Sequence, residues 1–187
     1  MTAVQIGSLH LEPASEREDL LAEPVARALA AAARQDPSFA EVAVAAIDPD
    51  LADTAAFCAA YDVPLEISAN CVVVAGKREG AQRIAACVVP ATTRADVNGV
   101  VKRRLDVRKC SFLSMEDAVA HSGMEYGGIT PLGLPELWPV LVDEVVAGLP
   151  WTIIGSGLRR SKIAIPGQAL AWLAAQGSGA VIPDLGR

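Results

Sequence analysis

The sequence predicts a mixed α+β fold, with a largely antiparallel, barrel-like sheet and flanking helices. Three observations predict it. The 187 residues are 52% apolar and 20% charged, which is enough apolar material for the core of one domain, residues 1–187. The first third of the chain reads mainly as helix. From residue 67 onward, short β-branched runs alternate with glycine- and proline-containing turns. Hairpin-length connections join several of these runs, which argues against an alternating βαβ fold.

Each element has its own local reason. Ser15-x-x-Glu18 is a capping-box pattern before an alanine- and leucine-rich helix that runs to Arg34, with Pro24 able to restart it at a first-turn position. Gln35-Asp36-Pro37-Ser38 stops that helix. Val42, Val44 and Ala46 alternate as a strand does, and Asp48-Pro49-Asp50 turns the chain. A short helix follows from Asp53 to Tyr61. Cys71–Val74 is a strand, Gly76–Gly80 a hairpin loop, and Arg83–Pro90 the return strand. Thr93 can cap a helix through Arg104, because Val97, Val100, Val101 and Leu105 recur at helical spacing. Arg108–Phe112 is a short strand, and Ser114-x-x-Asp117 caps a helix that ends at Gly123. A glycine- and proline-rich loop, Gly123–Pro135, reads as solvent-facing. The strands Trp138–Asp143, Trp151–Ile154 and Ser161–Ile165 and a helix over Gln168–Gln176 complete the chain.

Several function classes are excluded by what the sequence lacks. Its longest uncharged apolar run falls far short of the ~20 residues that span a bilayer, and Met1–Leu11 has no secretory pattern. Cys58, Cys71, Cys87 and Cys110 form no C-x-x-C pair, and His10 and His121 are the only histidines, so neither a disulfide framework nor a zinc site is expected. These features predict a reduced, cytoplasmic protein with no membrane association and neither metal nor organic cofactor. Phosphate-loop and dinucleotide-loop motifs are also missing, as is G-x-S-x-G. Cys71 and Cys87 read as buried, inert thiols, and His121 as a polar residue at a helix end.

Charge is unevenly distributed. Residues 1–66 carry 12 acidic and 3 basic side chains, whereas residues 77–109 carry 9 basic and 3 acidic ones. The basic stretch includes Lys77, Lys102, Arg103, Arg104, Arg108 and Lys109. It can hold a polyanion, or it can be an ordinary solvated face.

The most informative segment is Gly123–Pro135. Gly127 and Gly128 permit positive φ and close approach of a ligand, and Pro131 stiffens the exit. A loop of this kind can aim backbone N–H groups at a carbonyl or carboxylate oxygen, or can simply connect two elements. With Trp138-Pro-Val-Leu-Val-Asp143 and Ile153-Ile-Gly-Ser-Gly157, this segment resembles the YbaK / prolyl-tRNA editing domain family over Asp53–Leu173. The first 50 or so residues then form an acidic elaboration.

That resemblance implies hydrolysis of mischarged aminoacyl-tRNA, assisted by the substrate's own terminal ribose hydroxyl. Gly127, Gly128, Ile129, Thr130 and Pro131 match the family's G-x-x-x-P loop, whose backbone holds the ester carbonyl. Asp143, Gly155, Ser156 and Gly157 match residues around the amino-acid pocket. Lys77, Lys102, Arg103, Arg104, Arg108 and Lys109 are the candidates for holding the tRNA backbone. Asn70 stands where the family has a lysine, so a contact is lost, or a cation such as Lys77 or Arg104 replaces it, or Asn70 is purely structural. Non-catalytic binding of tRNA or a small ligand is the alternative function. The resemblance names no amino acid, tRNA or oligomeric state.

Overall fold

A computed structural model describes residues 4–187; the first three residues of the Met1–Leu11 segment lie outside it. Nine strands form two sheets. They are β1 (Glu12–Pro13), β2 (Ala43–Ala46), β3 (Ala69–Arg78), β4 (Ala81–Pro90), β5 (Cys110–Phe112), β6 (Val140–Asp143), β7 (Thr152–Gly155), β8 (Ser161–Ile165) and β9 (Ala180–Ile182). The helices are α1 (Glu23–Ala32), α2 (Thr54–Ala60), α3 (Lys102–Arg104), α4 (Met115–Ser122), α5 (Glu144–Ala147) and α6 (Gly167–Ala174). One sheet has the order β1-β2-β8-β7 and the other β5-β3-β4-β6-β9. The β4–β6 and β6–β9 ladders are parallel and the other five antiparallel, as a mixed α+β fold requires.

The sheets do not close into a barrel. A single parallel bridge, Ser68 to Ile153, ties the start of β3 to β7. Helices α1 and α6 pack into the apolar cluster that the two sheets share, around Val25, Leu29, Val88, Val142, Ile154, Ile163 and Leu170. The opposite face of the first sheet is also covered, by Phe57 and Cys58 of α2 packing on Ala43, Ala45, Ile153 and Ala164. This is why Ala43, Val44 and Ala45 are all buried and do not alternate between core and solvent.

Most local signals act where they stand. Asp53 caps α2, accepting from the N–H groups of Ala55 and Ala56, and Ser114 caps α4, which ends at Gly123 in the left-handed region. Glu79 and Gly80, both at positive φ, make the two-residue turn between β3 and β4. Two expectations fail. Ser15 caps no long helix: the chain makes two 3-10 turns, and α1 begins at Glu23 with Pro24 in its first turn. The helix expected from Thr93 to Arg104 is only a π-turn over Val97–Val101 followed by α3. Arg94 and Arg187 exchange backbone hydrogen bonds, which holds the start of that segment extended. The Asp96 carboxylate, not Thr93, accepts from the N–H groups of Gly99 and Val100. Three valines and a glycine in this stretch weaken any preference for a regular helix.

Candidate functional site

A cavity of about 680 Å³ opens beside the first half of β3. It exists because β5 pairs only with Val74–Gly76, leaving the preceding residues of β3 as an uncovered edge. Asn70–Val73 form one wall, and residues 50–54 another. Phe112 and Met115 stand at the end of β5 and the start of α4. Tyr126, Gly127 and Ile129 bring the glycine-rich loop to the cavity, and Gly155, Arg159 and Lys162 complete it from β7, β8 and their connection.

The loop is fixed by its ends and by its back. Met124 and Leu132, both buried, anchor its two ends, and burial of each contributes roughly 1.5–3 kcal/mol. Between them, Gly157 N–H donates to the Gly128 carbonyl at 2.7 Å, and Glu125 N–H to the Gly157 carbonyl at 2.8 Å. The contact is very close. A Cβ on Gly155 would lie 2.3 Å from the Gly128 oxygen, and a Cβ on Gly128 would lie 2.7 Å from the Leu158 backbone. Gly128 is therefore buried against the β7–β8 connection, not solvent-facing as the sequence reading expects. Gly127, at φ +85°, faces outward, and a Cβ there meets the Arg159 guanidinium. Gly128 N–H is used inside the turn, donating to the Glu125 carbonyl at 3.0 Å. The N–H groups of Gly127 and Ile129 have no acceptor among the described residues.

Other positions named from sequence divide into those at the cavity and those behind it. Asn70 lines the cavity, and its Oδ1 accepts from the Thr54 hydroxyl at 2.7 Å, which leaves its NH₂ group for a ligand. Thr130 and Pro131 are buried, and Thr130 Oγ1 has no hydrogen-bond partner among the described residues. The Ser156 hydroxyl is buried in a knot with Ser161 Oγ at 2.8 Å and the Leu158 N–H at 3.2 Å. Gly157 packs on Ala22 and Val25. Asp143 does not line the cavity: its carboxylate accepts from Val145 N–H at the start of α5 and from Gly186 N–H.

The cation beside Asn70 is neither Lys77 nor Arg104. Lys77 lies seven residues along β3, about 23 Å away at roughly 3.3 Å per residue. Arg104 makes a 3.5 Å contact with the Ser178 carbonyl. Two cations line the cavity, the half-buried Arg159 and the buried Lys162. Lys162 stands directly across the β7–β8 ladder from Gly155. Its Nζ donates to the Ala52 carbonyl at 2.9 Å and sits 5.3 Å from the Phe57 ring centroid. Lys162 is only 7% exposed and forms no ion pair among the described residues. Burial lowers its pKa below the ordinary lysine value, because the charged form loses hydration. Arg159 bridges the mouth, donating to the carbonyls of Tyr126 and Pro49. Sequence reading missed both residues. The cue present was a lone lysine in the otherwise apolar run Ser161–Ile165.

Cys71 also lines the cavity, and burial raises its pKa, which keeps it a thiol. His121 lies elsewhere, edge-on to Trp138. The basic stretch is split. Arg78 and Arg83 both pair with Asp106. Lys77, Arg108 and Lys109 surround a second hollow of about 490 Å³. Arg103 and Arg104 are exposed on α3, and Lys102 is half-buried.

Residues 48–173 match the aminoacyl-tRNA editing domain family, and the chain belongs to it. No curated protein matches it in sequence. Among solved structures, a proposed trans-editing enzyme for prolyl tRNA synthetase superposes with a TM-score of 0.69 at 19% identity, over 89% of this chain and 96% of that one. A hypothetical protein gives a TM-score of 0.73 at 18% identity, over 88% and 100%. A scaffold used for epitope grafting gives 0.69 at 20% identity, over 88% and 99%. These likenesses establish the fold. No helix among the described residues is long and apolar enough to cross a membrane.

Proposed function

We propose that the chain is a trans-acting deacylase that hydrolyses the ester of mischarged aminoacyl-tRNA. The observation that carries this reading is that one cavity is lined by Gly127 and Ile129, whose N–H groups have no acceptor among the described residues, by Asn70 and by Lys162. All four supply hydrogen-bond donors, and the Lys162 ammonium is positively charged. Such a set favours negative charge developing on an oxygen.

The chemistry needs no protein nucleophile. Water adds to the ester carbonyl carbon, and the carbonyl oxygen becomes an oxyanion facing the loop N–H groups. The bond to the ribose oxygen then breaks. The free amino acid leaves, and the ribose oxygen takes up the proton that the water gives up. The neighbouring ribose hydroxyl orients the water and relays that proton. The protein contributes position and a preorganised field, which is the larger share of many such rate enhancements. Lys162 supplies the positive charge that Asn70 lacks, from a different strand. Lys77, Arg108 and Lys109, with Arg103 and Arg104, offer a track for the acceptor-stem phosphates. Residues 1–50, although acidic, work as part of the same unit. The four free cysteines fit a reducing compartment such as the cytoplasm.

The test is a deacylation screen across a panel of mischarged tRNAs, with spontaneous hydrolysis subtracted. At least one substrate should be cleared well above background. If none is cleared while tRNA still binds, the activity is absent and the neutral Asn70 marks a binding protein.

A further inference from the structure

The mouth of the cavity carries a feature that ester hydrolysis does not use. Six large apolar side chains are exposed on the described surface, and three of them, Phe112, Met115 and Tyr126, line this one cavity. Phe112 is 61% exposed and Tyr126 59%, and these are the only exposed Phe, Tyr or Trp rings among the described residues. Neither ring sits on a loose segment. Phe112 ends β5, opposite Val74 of β3. Tyr126 is part of the stitched loop, its carbonyl accepting from Arg159 at 3.3 Å. Rigidly placed rings with open faces at a polar, cationic cavity are arranged to receive a flat apolar partner.

The substrate of the proposed reaction supplies one. If the ester carbonyl lies at Gly127 and Ile129, the ribose that carries it lies at the mouth, and so does the base on that ribose. At the 3′ end of tRNA this base is unpaired, and single-stranded bases are held by stacking on aromatic side chains. Tyr126 adjoins Gly127 in sequence, so the ring and the loop N–H groups would hold neighbouring parts of one nucleotide. We propose that Phe112 and Tyr126, with Met115, form a stacking seat for the terminal nucleobase of the acyl-bearing strand, an inference that rests on the deacylase reading. Stacking accepts any base, so the seat contributes affinity and orientation and does not select among tRNAs.

The test is direct binding of the uncharged trinucleotide 5′-CCA-3′ to the intact protein, alongside the same oligonucleotide with an abasic terminal ribose. The parent should bind the trinucleotide about tenfold more tightly than the abasic form. Phe112→Ala and Tyr126→Ala should each remove most of that difference while the thermal transition stays in place, because both rings are exposed. Phe112→Tyr and Tyr126→Phe, which keep a ring, should retain it. Equal binding of the two oligonucleotides by the parent, or undiminished trinucleotide binding by both alanine variants, overturns the seat. The outcome is separate from that of the deacylation screen. A protein that hydrolyses mischarged tRNA but ignores the terminal base keeps the function and loses the seat. One that binds the base but hydrolyses nothing keeps the seat and loses the function.

Discussion

Replacing Lys162 with methionine separates catalysis from stability. Methionine keeps an unbranched chain of similar volume over the Phe57 ring and removes only the ammonium. The folded state loses one hydrogen bond of 2.9 Å to the Ala52 carbonyl, about 1.5–3 kcal/mol for a charged donor, and a cation–π contact worth about 0.5–2 kcal/mol. It regains the hydration cost of holding an unpaired charge at 7% exposure, which is of order several kcal/mol. These terms nearly cancel, so stability should change by about 1 kcal/mol or less, a few degrees in Tm. Catalysis has no such compensation. Losing a charged donor aimed at the oxyanion costs about 1.5–3 kcal/mol in the transition state, a fall of roughly 10- to 150-fold in kcat/KM. The assay is single-turnover deacylation of the best substrate from the screen, with a thermal melt on the same sample. A variant that melts normally and hydrolyses within about threefold of the parent would refute the assignment of Lys162. The same residue sets a pH signature. Its folded pKa lies below the ordinary 10.5, so between the two values the unfolded chain binds more protons than the folded one. Stability of the parent should therefore rise with pH across that window, and Lys162→Met should flatten the rise. Background-corrected deacylation should fall as the ammonium is lost.

Two glycines at the loop contact, half-buried Gly155 and exposed Gly127, make a contrasting pair. Gly155→Ala forces a Cβ to 2.3 Å from the Gly128 carbonyl oxygen, a backbone atom that cannot retreat, and should lower stability by about 2–3 kcal/mol in chemical denaturation. Gly127→Ala meets only the Arg159 side chain and should cost about 1 kcal/mol for its positive φ, with a larger effect on deacylation than on melting. Asn70→Ala removes an amide donor from the cavity and strands the Thr54 hydroxyl, and should slow deacylation about 2- to 10-fold with unchanged tRNA affinity. Charge reversal at Lys77, Arg108 and Lys109 should weaken binding of every tRNA by a similar factor and reduce the slope of log affinity against log salt by about 0.7–0.9 per lost phosphate contact; an unchanged slope removes these residues from the interface.

Much of the strand order and capping was legible because it is written in neighbouring residues. Asp53, Ser114 and Gly123 act within a turn of where they stand, and Glu79-Gly80 sets the hairpin alone. What escaped was set by contacts far apart in sequence. Strand β9 is three residues long and exists because β6 offers it a parallel edge. The helix expected at Thr93 yields to backbone bonds between Arg94 and Arg187, 93 residues apart. At the site, Gly127 could be named because paired glycines make an unusual local pattern, and Ile129 and Asn70 could be named only through the family resemblance. Lys162 could not, because nothing near it in sequence shows that β7 pairs it with Gly155 beside the loop, or that Ala52 accepts from it 110 residues away.

The stitching behind the glycine loop continues into the acidic N-terminal part. Ala22 N–H donates to the Ser156 carbonyl, Ser161 Oγ to the Leu20 carbonyl, and Arg160 to the Asp19 carbonyl. A Cβ on Gly133 would press on the Pro24 backbone at 2.4 Å. The family match begins at residue 48, yet the segment that braces the loop from behind lies at residues 19–25. The border of the family match is therefore not the border of the packed unit, and the solved structures, which cover 88–89% of this chain, also extend N-terminal of residue 48. A fragment excised at the family border would leave Leu20, Leu21 and Val25 behind, unseal the cluster they complete, and release the β7–β8 connection from its backing. Expressed alone, that fragment should be sticky and inert, and a graft of this editing module into another protein has to carry the acidic leader with it.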